Sequence, residues 1–494
     1  MKTARLEVLS QDEVRQIHET SMHILAEVGI HVDYGRARRL FKEAGATVDE
    51  ENQVVRIPET LVQWALSQAP RSFTLYGNDP EFRMEVGGDG VCFAALGTPT
   101  HILDLDTGER REVVLADVHR HLKIINALDH IHNSQMDIWP SDIPMTTIHA
   151  EAILSWARNS RKSFGMGCYG FLPTLDMMRL MAIAVGGKEE LRARPRFFAI
   201  CSVVCPLKMI QMQAEGMLVC AEYGQPIAMS PEAIAGSTAP ATLAGLLAQQ
   251  NANILAHVTL AQIARPGTPV LYGTVSTITN MRLGTVALGA VETGLITAAS
   301  AQLARFYGLP SRSVGATTES KLEDIQAGIE RVATLIPAVL AGVNLITCGG
   351  TLDSTMLESH ALLALDDEIC GMILRMADGI RVNDETLALD LIRKVNFSGH
   401  YLDQPHTVRH FRREHFVPRL LVREPYETWD KEGRSTVMDR ARQRVREILA
   451  NHQPRPLDPA VERELLRYVD VIRNRPMEEF FAYEDESMQD FGAL

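Results

Sequence analysis

The sequence predicts an α/β protein built on a (β/α)8 barrel of the TIM type, with a helical extension at each end. From residue 91 onward, short apolar runs alternate with segments whose apolar residues recur at the helical period. There are eight such strand–helix pairs, the number that closes a barrel. The sequence also lacks the G-x-G-x-x-G and G-x-x-x-x-G-K-[ST] turns that would favour an open doubly wound sheet.

This pattern divides the chain into three regions. A helical extension covers residues 1–90, the barrel covers residues 91–378, and a second extension, packed on the barrel, covers residues 379–494. The predicted barrel strands are residues 91–95, 131–139, 163–169, 197–204, 226–234, 269–277, 311–317 and 343–347. The predicted barrel helices lie near residues 117–128, 147–159, 174–185, 207–222, 241–264, 285–307, 321–340 and 354–377.

The first extension begins with a recognisable helix start. Ser10 is followed three residues later by Glu13, which is the spacing of a capping box, and Gly29 is placed to end that helix. Two further helices are predicted at residues 34–44 and 58–68. These helices carry no titratable pair arranged for chemistry.

Composition argues against several classes of protein. The net charge of −13, with no basic run to offset it, argues against nucleic acid as a partner. No window is apolar for long enough to span a bilayer, and the first residues lack the apolar middle of a signal peptide, so we expect a cytoplasmic protein without membrane contact. The seven scattered cysteines suit free thiols in a reducing compartment.

Unusual residues follow the last two predicted strands. Glu319 and Lys321 come after the seventh strand, and Cys348 and Gly349 come after the eighth. Barrel enzymes place their chemistry at the carboxyl ends of the strands, so we predict Glu319 as a catalytic residue and the other three as substrate-binding residues. The alternative is that such acids only partner a helix dipole. Two acids after the eighth strand share that ambiguity, Asp353 and Glu358.

Aromatic residues also stand near predicted strand ends. Trp139, Tyr169 and Tyr272, with Phe171 nearby, could form a cage around a cation that offers no N–H group to bond. Ordinary packing at the barrel rim is the alternative interpretation. The cage hypothesis makes the first three of these residues substrate-binding.

Two groups of residues invite a metal hypothesis. Cys201 and Cys205 are spaced by four residues, but on one strand their sulfurs would stand about 13 Å apart, so buried, apolar cysteines are the preferred interpretation. Four histidines cluster after the barrel, namely His400, His406, His410 and His415. A solvated or interface loop explains this cluster better than a ligand set. We therefore predict no metal site.

Residues 315–350 read GATTESKLEDIQAGIERVATLIPAVLAGVNLITCGG, and this segment resembles the trimethylamine methyltransferase family. Members of that family read close to T-D-S-K-x-x-D-x-Q-A-G-x-E, followed by an A-G-A-N-L-I strand and a glycine-rich loop. Three other blocks are similar to the family as well: LSQDEVRQIHETSMHILAEVGIHVD, RIPETLVQWALSQAPRSFTLYG and LADVHRHLKIINALDHI. The resemblance therefore covers nearly the whole chain.

The resemblance implies a (β/α)8 barrel that transfers a methyl group from a methylated amine to the Co(I) of cobalamin carried by a separate corrinoid protein, with no cofactor bound tightly by the chain itself. Archaeal members that act on trimethylamine contain pyrrolysine, whereas this sequence has an ordinary residue at every position. That departure indicates the branch that acts on quaternary amines such as glycine betaine, proline betaine, carnitine or butyrobetaine. We also expect a homo-oligomer.

The chemistry of a quaternary amine agrees with this branch. Its nitrogen already carries a positive charge, so the leaving group is a neutral tertiary amine, and the enzyme need only align the N–CH₃ bond with cobalt and exclude water. Glu319, with the aromatic residues, is assigned to the cation. The far carboxylate is assigned to Lys321, Arg282 or His149, without a choice among them. Three alternatives stay open: a pyrrolysine-independent tertiary-amine methyltransferase, a zinc-dependent corrinoid methyltransferase, and a non-catalytic betaine-binding protein.

Overall fold

The computed structural model describes residues 3–494 apart from residues 80, 96, 136, 137 and 398. Its centre is a closed barrel of parallel strands, which confirms the predicted fold class. In chain order the barrel strands are β1 Cys92–Ala94, β2 Asn133–Gln135, β3 Ser163–Gly167, β4 Phe197–Cys201, β5 Ile227–Met229, β6 Val270–Thr274, β7 Ser311–Val314 and β8 Leu345–Thr347. The helices that follow them are α1 Leu115–Ala127, α2 Ile148–Asn159, α3 Phe171–Val185, α4 Gln211–Glu222, α5 Leu243–Ala264, α6 Val291–Tyr307, α7 Ile325–Leu340 and α8 His360–Ala377.

The inside of the barrel is apolar towards the amino ends of its strands. Phe198 of β4, Ala228 of β5, Leu271 of β6 and Leu345 of β8 form one buried cluster. The same cluster includes side chains of a β-hairpin, Ser72–Tyr76 and Arg83–Gly87, which precedes the barrel in the chain. The hairpin therefore closes the amino-terminal end of the barrel and leaves the carboxyl-terminal end as the mouth.

The segment before the barrel is less helical than predicted. The expected helices are present at Gln11–His23, Gly35–Glu43 and Glu59–Gln68, and the predicted capping box of Ser10 and Glu13 is present as well. In addition, Ile30–Val32, Thr47–Asp49 and Val54–Arg56 form a small sheet with Lys208–Met209. These strands have two or three residues each, too few to show a two-residue alternation in the sequence, and their pairing with Lys208–Met209 is a tertiary contact.

The segment after the barrel is helical. Val437–Asn451 packs against α8, and Pro459–Arg473 packs against α2 and α3. The remaining helices are Asp384–Leu387, Leu389–Val395, Pro405–Glu414, Tyr426–Lys431 and Met477–Ala482, and Lys188–Ala193 follows α3 within the barrel region. No helix in the described part of the chain is both long and apolar enough to cross a membrane.

Several predicted elements are longer than the observed ones at the mouth. The helix predicted at residues 321–340 begins at Ile325, where Asp324 caps it by accepting a hydrogen bond from the Ala327 amide. The predicted second strand, residues 131–139, is observed as Asn133–Gln135, and residues 136 and 137 lie outside the described part. Two small sheets occupy the mouth loops instead: Ile234–Ala235 with Thr277–Asn280 and Thr285–Ala287, and Thr351–Leu352 with Leu357–Glu358, His101–Leu103 and Arg110–Glu112.

Candidate active site

The strand register determines which side chains face the inside of the barrel. In a parallel ladder, residues paired in register point to the same side, and neighbours along a strand point to opposite sides. Leu345 faces inward, and its partner in β7 is Arg312. Arg312 is also paired with Gly273, two residues after the inward-facing Leu271. The guanidinium of Arg312 therefore lies inside the barrel, above the apolar cluster.

Arg312 has unsatisfied hydrogen-bond donors. Only 3% of the residue is exposed, and its Nε and Nη1 atoms find no hydrogen-bond partner among the described residues. Burial lowers the pKa of Arg312 to about 10, against the opposing influence of the Glu232 carboxylate. At neutral pH the barrel thus contains a buried cation, two nitrogens of which bond to none of the described residues.

Glu232 supplies a negative charge near Arg312. It follows β5, and part of its side chain remains open to solvent. Desolvation nevertheless raises the pKa of Glu232, as expected for a carboxylate on the wall of a concave site, while Arg312 and a hydrogen bond with Ser202 partly oppose that rise. Ser202 after β4, Glu232 after β5 and Arg312 of β7 therefore bring together a hydroxyl, a carboxylate and a guanidinium.

Glu319 lies at the mouth, as predicted, but most of its hydrogen bonding is structural. Its Oε1 atom accepts hydrogen bonds from the Gly289 amide at 3.1 Å and from the Ser354 hydroxyl at 2.5 Å. Lys321 donates a hydrogen bond to the Glu319 carbonyl and pairs with Asp353 at 2.9 Å, with most of its side chain exposed. The loops after β6, β7 and β8 are therefore tied together around Glu319.

The structure brings Trp139 and Tyr169 together. Their rings are 5.6 Å apart and nearly perpendicular. A Cβ on Gly167 would lie 2.4 Å from Cζ of Tyr169, so the tyrosine ring covers the inner face of β3 at this glycine. The buried Nε1 of Trp139 has no hydrogen-bond partner among the described residues. Two of the three predicted cage residues therefore adjoin the mouth.

A cavity of about 550 Å³ lies beside this aromatic pair. Its lining includes Phe171, Glu215 and His149. It extends outside the ring of strands, because Met166, which also lines it, faces away from the barrel interior. Nε2 of His149 is 3.2 Å from the buried carboxylate of Asp176, so His149 is already engaged in the helical layer.

The structure contradicts the prediction for Tyr272 and Cys348. Tyr272 is fully buried outside the ring of strands, where its hydroxyl donates a hydrogen bond of 2.9 Å to Asn251 of α5. Cys348 is fully buried, with its sulfur 3.6 Å from that of Cys370 in α8. Both side chains point into the layer between strands and helices, so neither contacts the mouth.

Gly349 has a positive φ of 108°, and a Cβ there would lie 2.9 Å from Leu363. Its role is to let the chain turn closely over α8 after the last barrel strand. Any substrate contact would have to come from its backbone.

Among the other candidate residues, Arg282 is exposed on the hairpin after β6, and Glu358 is buried.

The candidate metal ligands are not assembled into a site. Cys201 is buried with its sulfur 3.3 Å from that of Met217, and Cys205 contacts Asn253. The rings of His406 and His410 lie 4.3 Å apart, tilted by 38°, and both residues contact Glu385 near the surface. Within the described ranges, no three His, Cys, Asp or Glu side chains are placed to share an ion.

Sequence reasoning missed Arg312 and Glu232. The signal for Arg312 was present, since a single arginine in the short buried strand Ser311–Val314 requires a partner or a function. Glu232 gave a weaker signal, because it follows its strand by three residues and resembles an ordinary loop acid.

Comparisons with known proteins agree with this architecture. The family model described as trimethylamine methyltransferase matches residues 1–477. Glycine betaine methyltransferase of Desulfitobacterium hafniense (strain Y51) is 38% identical over 94% of this chain and 96% of its own length. Trimethylamine methyltransferase MttB of Methanosarcina barkeri (strain Fusaro / DSM 804) is 32% identical over 94% of this chain and 95% of its own.

A solved structure shares the fold. The Methanosarcina barkeri monomethylamine methyltransferase MtmB superposes with a TM-score of 0.50 at 13% identity, covering 90% of this chain and 96% of that one. At this identity the likeness concerns the fold alone. Because the family model and the relatives above 30% identity span almost the whole length, the chain belongs to the trimethylamine methyltransferase family and is a methyltransferase.

Proposed function

We propose that this methyltransferase moves a methyl group from a quaternary amine of the glycine betaine type to the Co(I) corrinoid of a partner protein. The named activity of the relative with 38% identity supports this substrate class. The observation in the structure that carries the proposal is the carboxylate of Glu232 at the barrel mouth, a fixed negative charge where a cationic substrate would enter.

The reaction requires little acid–base chemistry of the enzyme. The N–CH₃ bond breaks with its electron pair remaining on nitrogen, and the methyl carbon forms a bond to cobalt with the electron pair of Co(I). The product is a neutral tertiary amine, so no proton has to be delivered to the leaving group. The chain's residues bind the cation, hold the N–CH₃ bond towards the partner and exclude water.

We assign the ammonium group to Glu232 together with three residues of the mouth, Trp139, Tyr169 and Glu319. Aromatic faces and carboxylates attract a quaternary ammonium without needing an N–H group on the ligand. The perpendicular rings of Trp139 and Tyr169 offer one face and one edge, and Glu319 is held in place by its bonds to Gly289 and Ser354. Lys321 is paired with Asp353, so we assign it to the rim rather than to the substrate.

The proposal predicts a spectral change that tests it directly. Incubating the purified protein with a corrinoid protein reduced to Co(I) and a panel of amines should give methyl-Co(III) with glycine betaine. Trimethylamine should react slowly or not at all. A reaction with trimethylamine alone would favour the activity named for the relatives at 32% identity. Binding of glycine betaine with no methyl-Co(III) would indicate a binding protein instead.

A further inference from the structure

The buried guanidinium of Arg312 requires an explanation that the described residues do not provide. A buried donor without a partner costs free energy, and a buried charge costs more. Two nitrogens of Arg312 are buried without a hydrogen-bond partner among the described residues. Among the described residues no carboxylate lies within 4.0 Å of this guanidinium, although the charge of Glu232 acts to raise the pKa of Arg312.

Arg331 shows that the same fold can supply acceptors to both terminal nitrogens of a buried arginine, although its Nε has no partner among the described residues. Arg331 is fully buried in α7, and its Nη1 atom pairs with the carboxylate of Asp366 at 2.9 Å. Its two terminal nitrogens also donate to the carbonyls of Ala316 and Thr351. Arg312 lies on β7, inside the barrel, and there a terminal nitrogen, Nη1, lacks a partner among the described residues as well as Nε. The difference indicates that the acceptor for Arg312 comes from outside the chain.

We propose that Arg312 binds the carboxylate of a zwitterionic substrate, deep in the barrel, with the substrate's quaternary ammonium directed to Glu232 and the mouth. This assignment rests on the proposed function and narrows it to quaternary amines that carry a carboxylate. It replaces Lys321, Arg282 and His149 as the carboxylate site. Lys321 and His149 already have partners, and Arg282 is exposed on its hairpin.

The orientation follows from where each charge lies. The hairpin Ser72–Tyr76 and Arg83–Gly87 closes the amino-terminal end of the barrel, so a corrinoid protein can approach only from the mouth. The transferred methyl group must therefore be the outermost part of the substrate. Arg312 is buried and Glu232 is open to solvent, so a zwitterion bound carboxylate-first presents its methylated nitrogen outward.

The proposal predicts strong selectivity at the end of the substrate that does not react. A carboxylate on a buried guanidinium makes charge-assisted hydrogen bonds, whereas choline or tetramethylammonium would leave the guanidinium unpaired. Sites built around such a bond discriminate by large factors. We expect glycine betaine to exceed choline and tetramethylammonium in kcat/KM by at least about 100-fold.

Three variants test the assignment. Arg312→Gln removes the charge, Arg312→Lys keeps it without the planar fork, and Arg282→Gln is the matched control, because it removes an exposed arginine after β6. Calorimetry with glycine betaine and with tetramethylammonium measures binding without any corrinoid. Thermal unfolding with and without glycine betaine reports folding and binding of the same samples.

We expect Arg312→Gln to weaken glycine betaine binding about 100-fold, Arg312→Lys to give an intermediate loss, and Arg282→Gln to leave it unchanged. Binding of tetramethylammonium should be weak and equal in all four proteins. Equal affinity of wild type and Arg312→Gln for glycine betaine would overturn the assignment, as would equal turnover of glycine betaine and choline. The proposed function fails separately if no quaternary amine yields methyl-Co(III), whatever the binding data show.

Discussion

The hydroxyl of Ser354 donates a hydrogen bond of 2.5 Å to Oε1 of Glu319, and the Gly289 amide donates a second bond, of 3.1 Å, to the same oxygen. One carboxylate oxygen therefore joins the loops that follow β6, β7 and β8. Glutamine has a carbonyl oxygen in the equivalent place, so it can keep both bonds while losing the charge. Alanine loses the bonds as well. The two substitutions separate the electrostatic role of Glu319 from its bracing role.

We expect Glu319→Gln to raise the KM for glycine betaine several-fold and to raise kcat slightly. The substrate nitrogen loses its positive charge as the methyl group leaves, so a nearby carboxylate stabilises bound substrate more than the transition state. Glu319→Ala should show the same change in KM and a loss of about 1–2 kcal/mol in the free energy of unfolding. Steady-state kinetics and urea unfolding measure the two effects. A fall in kcat alone for Glu319→Gln would contradict this role.

Binding of the substrate cation should weaken as the pH is lowered towards the pKa of Glu232. That pKa is raised above 4.5 by desolvation, so the carboxylate takes up a proton at a higher pH than an ordinary glutamate and then no longer attracts the ammonium group. Of its neighbours, Arg312 has a pKa of about 10 and Cys205 one of about 11, so neither titrates in acid. Calorimetry between pH 7 and pH 4 should show the loss in wild type. Glu232→Gln should bind weakly at every pH, and a parallel loss in that variant would exclude Glu232 as the cause.

The barrel could be predicted because its signal is repeated along the chain, and the position of Glu319 at the mouth could be predicted because strand ends are visible in the sequence. The errors for Tyr272 and Cys348 have one physical origin. Strands of a parallel barrel are apolar on both faces, so the sequence of β6, VLYGT, does not show whether Leu271 or Tyr272 faces inward. The register of the ladder decides it, and the register is tertiary information.

For Arg312, unlike Tyr272 and Cys348, the sequence itself indicated an unusual environment. Its strand, SRSV, carried a readable signal, because a charged residue in the middle of a buried strand is expensive unless it has a partner. What the sequence could not show is that two of its nitrogens find no partner in the described part of the chain. Arg331 looks similar in sequence terms, yet its Nη1 atom pairs with Asp366 and both of its terminal nitrogens donate to backbone carbonyls. Only the distances from each guanidinium to the surrounding acceptor atoms distinguish the two arginines.

Gly167→Ala should impair substrate binding through Tyr169. The added Cβ would lie 2.4 Å from Cζ of the tyrosine and must displace the ring from the inner face of β3. We expect a rise in KM of about tenfold, by loss of the cation–π contact. Gly328→Ala in α7 is the matched control, because a Cβ there meets nothing within 4 Å and should stabilise the helix by about 1 kcal/mol. An unchanged KM in Gly167→Ala would remove Tyr169 from the site.

The buried pair of Arg331 and Asp366 should be costly to break and less costly to replace as a whole. Asp366 also accepts a hydrogen bond of 2.7 Å from the Gly350 amide, so the pair connects α7, α8 and the turn after β8. Asp366→Leu alone leaves a buried positive charge and should cost about 3–5 kcal/mol. The double variant Arg331→Met with Asp366→Leu should lose less than the sum of the single variants. Urea unfolding of the four proteins measures the coupling, and strict additivity would show that the two residues do not act as a pair.

Acid should destabilise the protein through histidines that are buried in the neutral form. His257 of α5 is fully buried, donates from Nδ1 to the Asn253 carbonyl at 2.8 Å, and has its pKa lowered to about 4 by desolvation. Below pH 6.5 the unfolded chain therefore binds a proton at this histidine that the native protein does not bind. The free energy of unfolding falls as the pH is lowered, by about 1.4 kcal/mol per pH unit for this group, until the native pKa is reached. His257→Gln should make the fall between pH 6.5 and pH 4 shallower, whereas His400→Gln, at an exposed position, should leave it unchanged. Urea unfolding midpoints at several pH values measure the slope, and identical slopes in wild type and His257→Gln would mean that His257 is already charged in the native state.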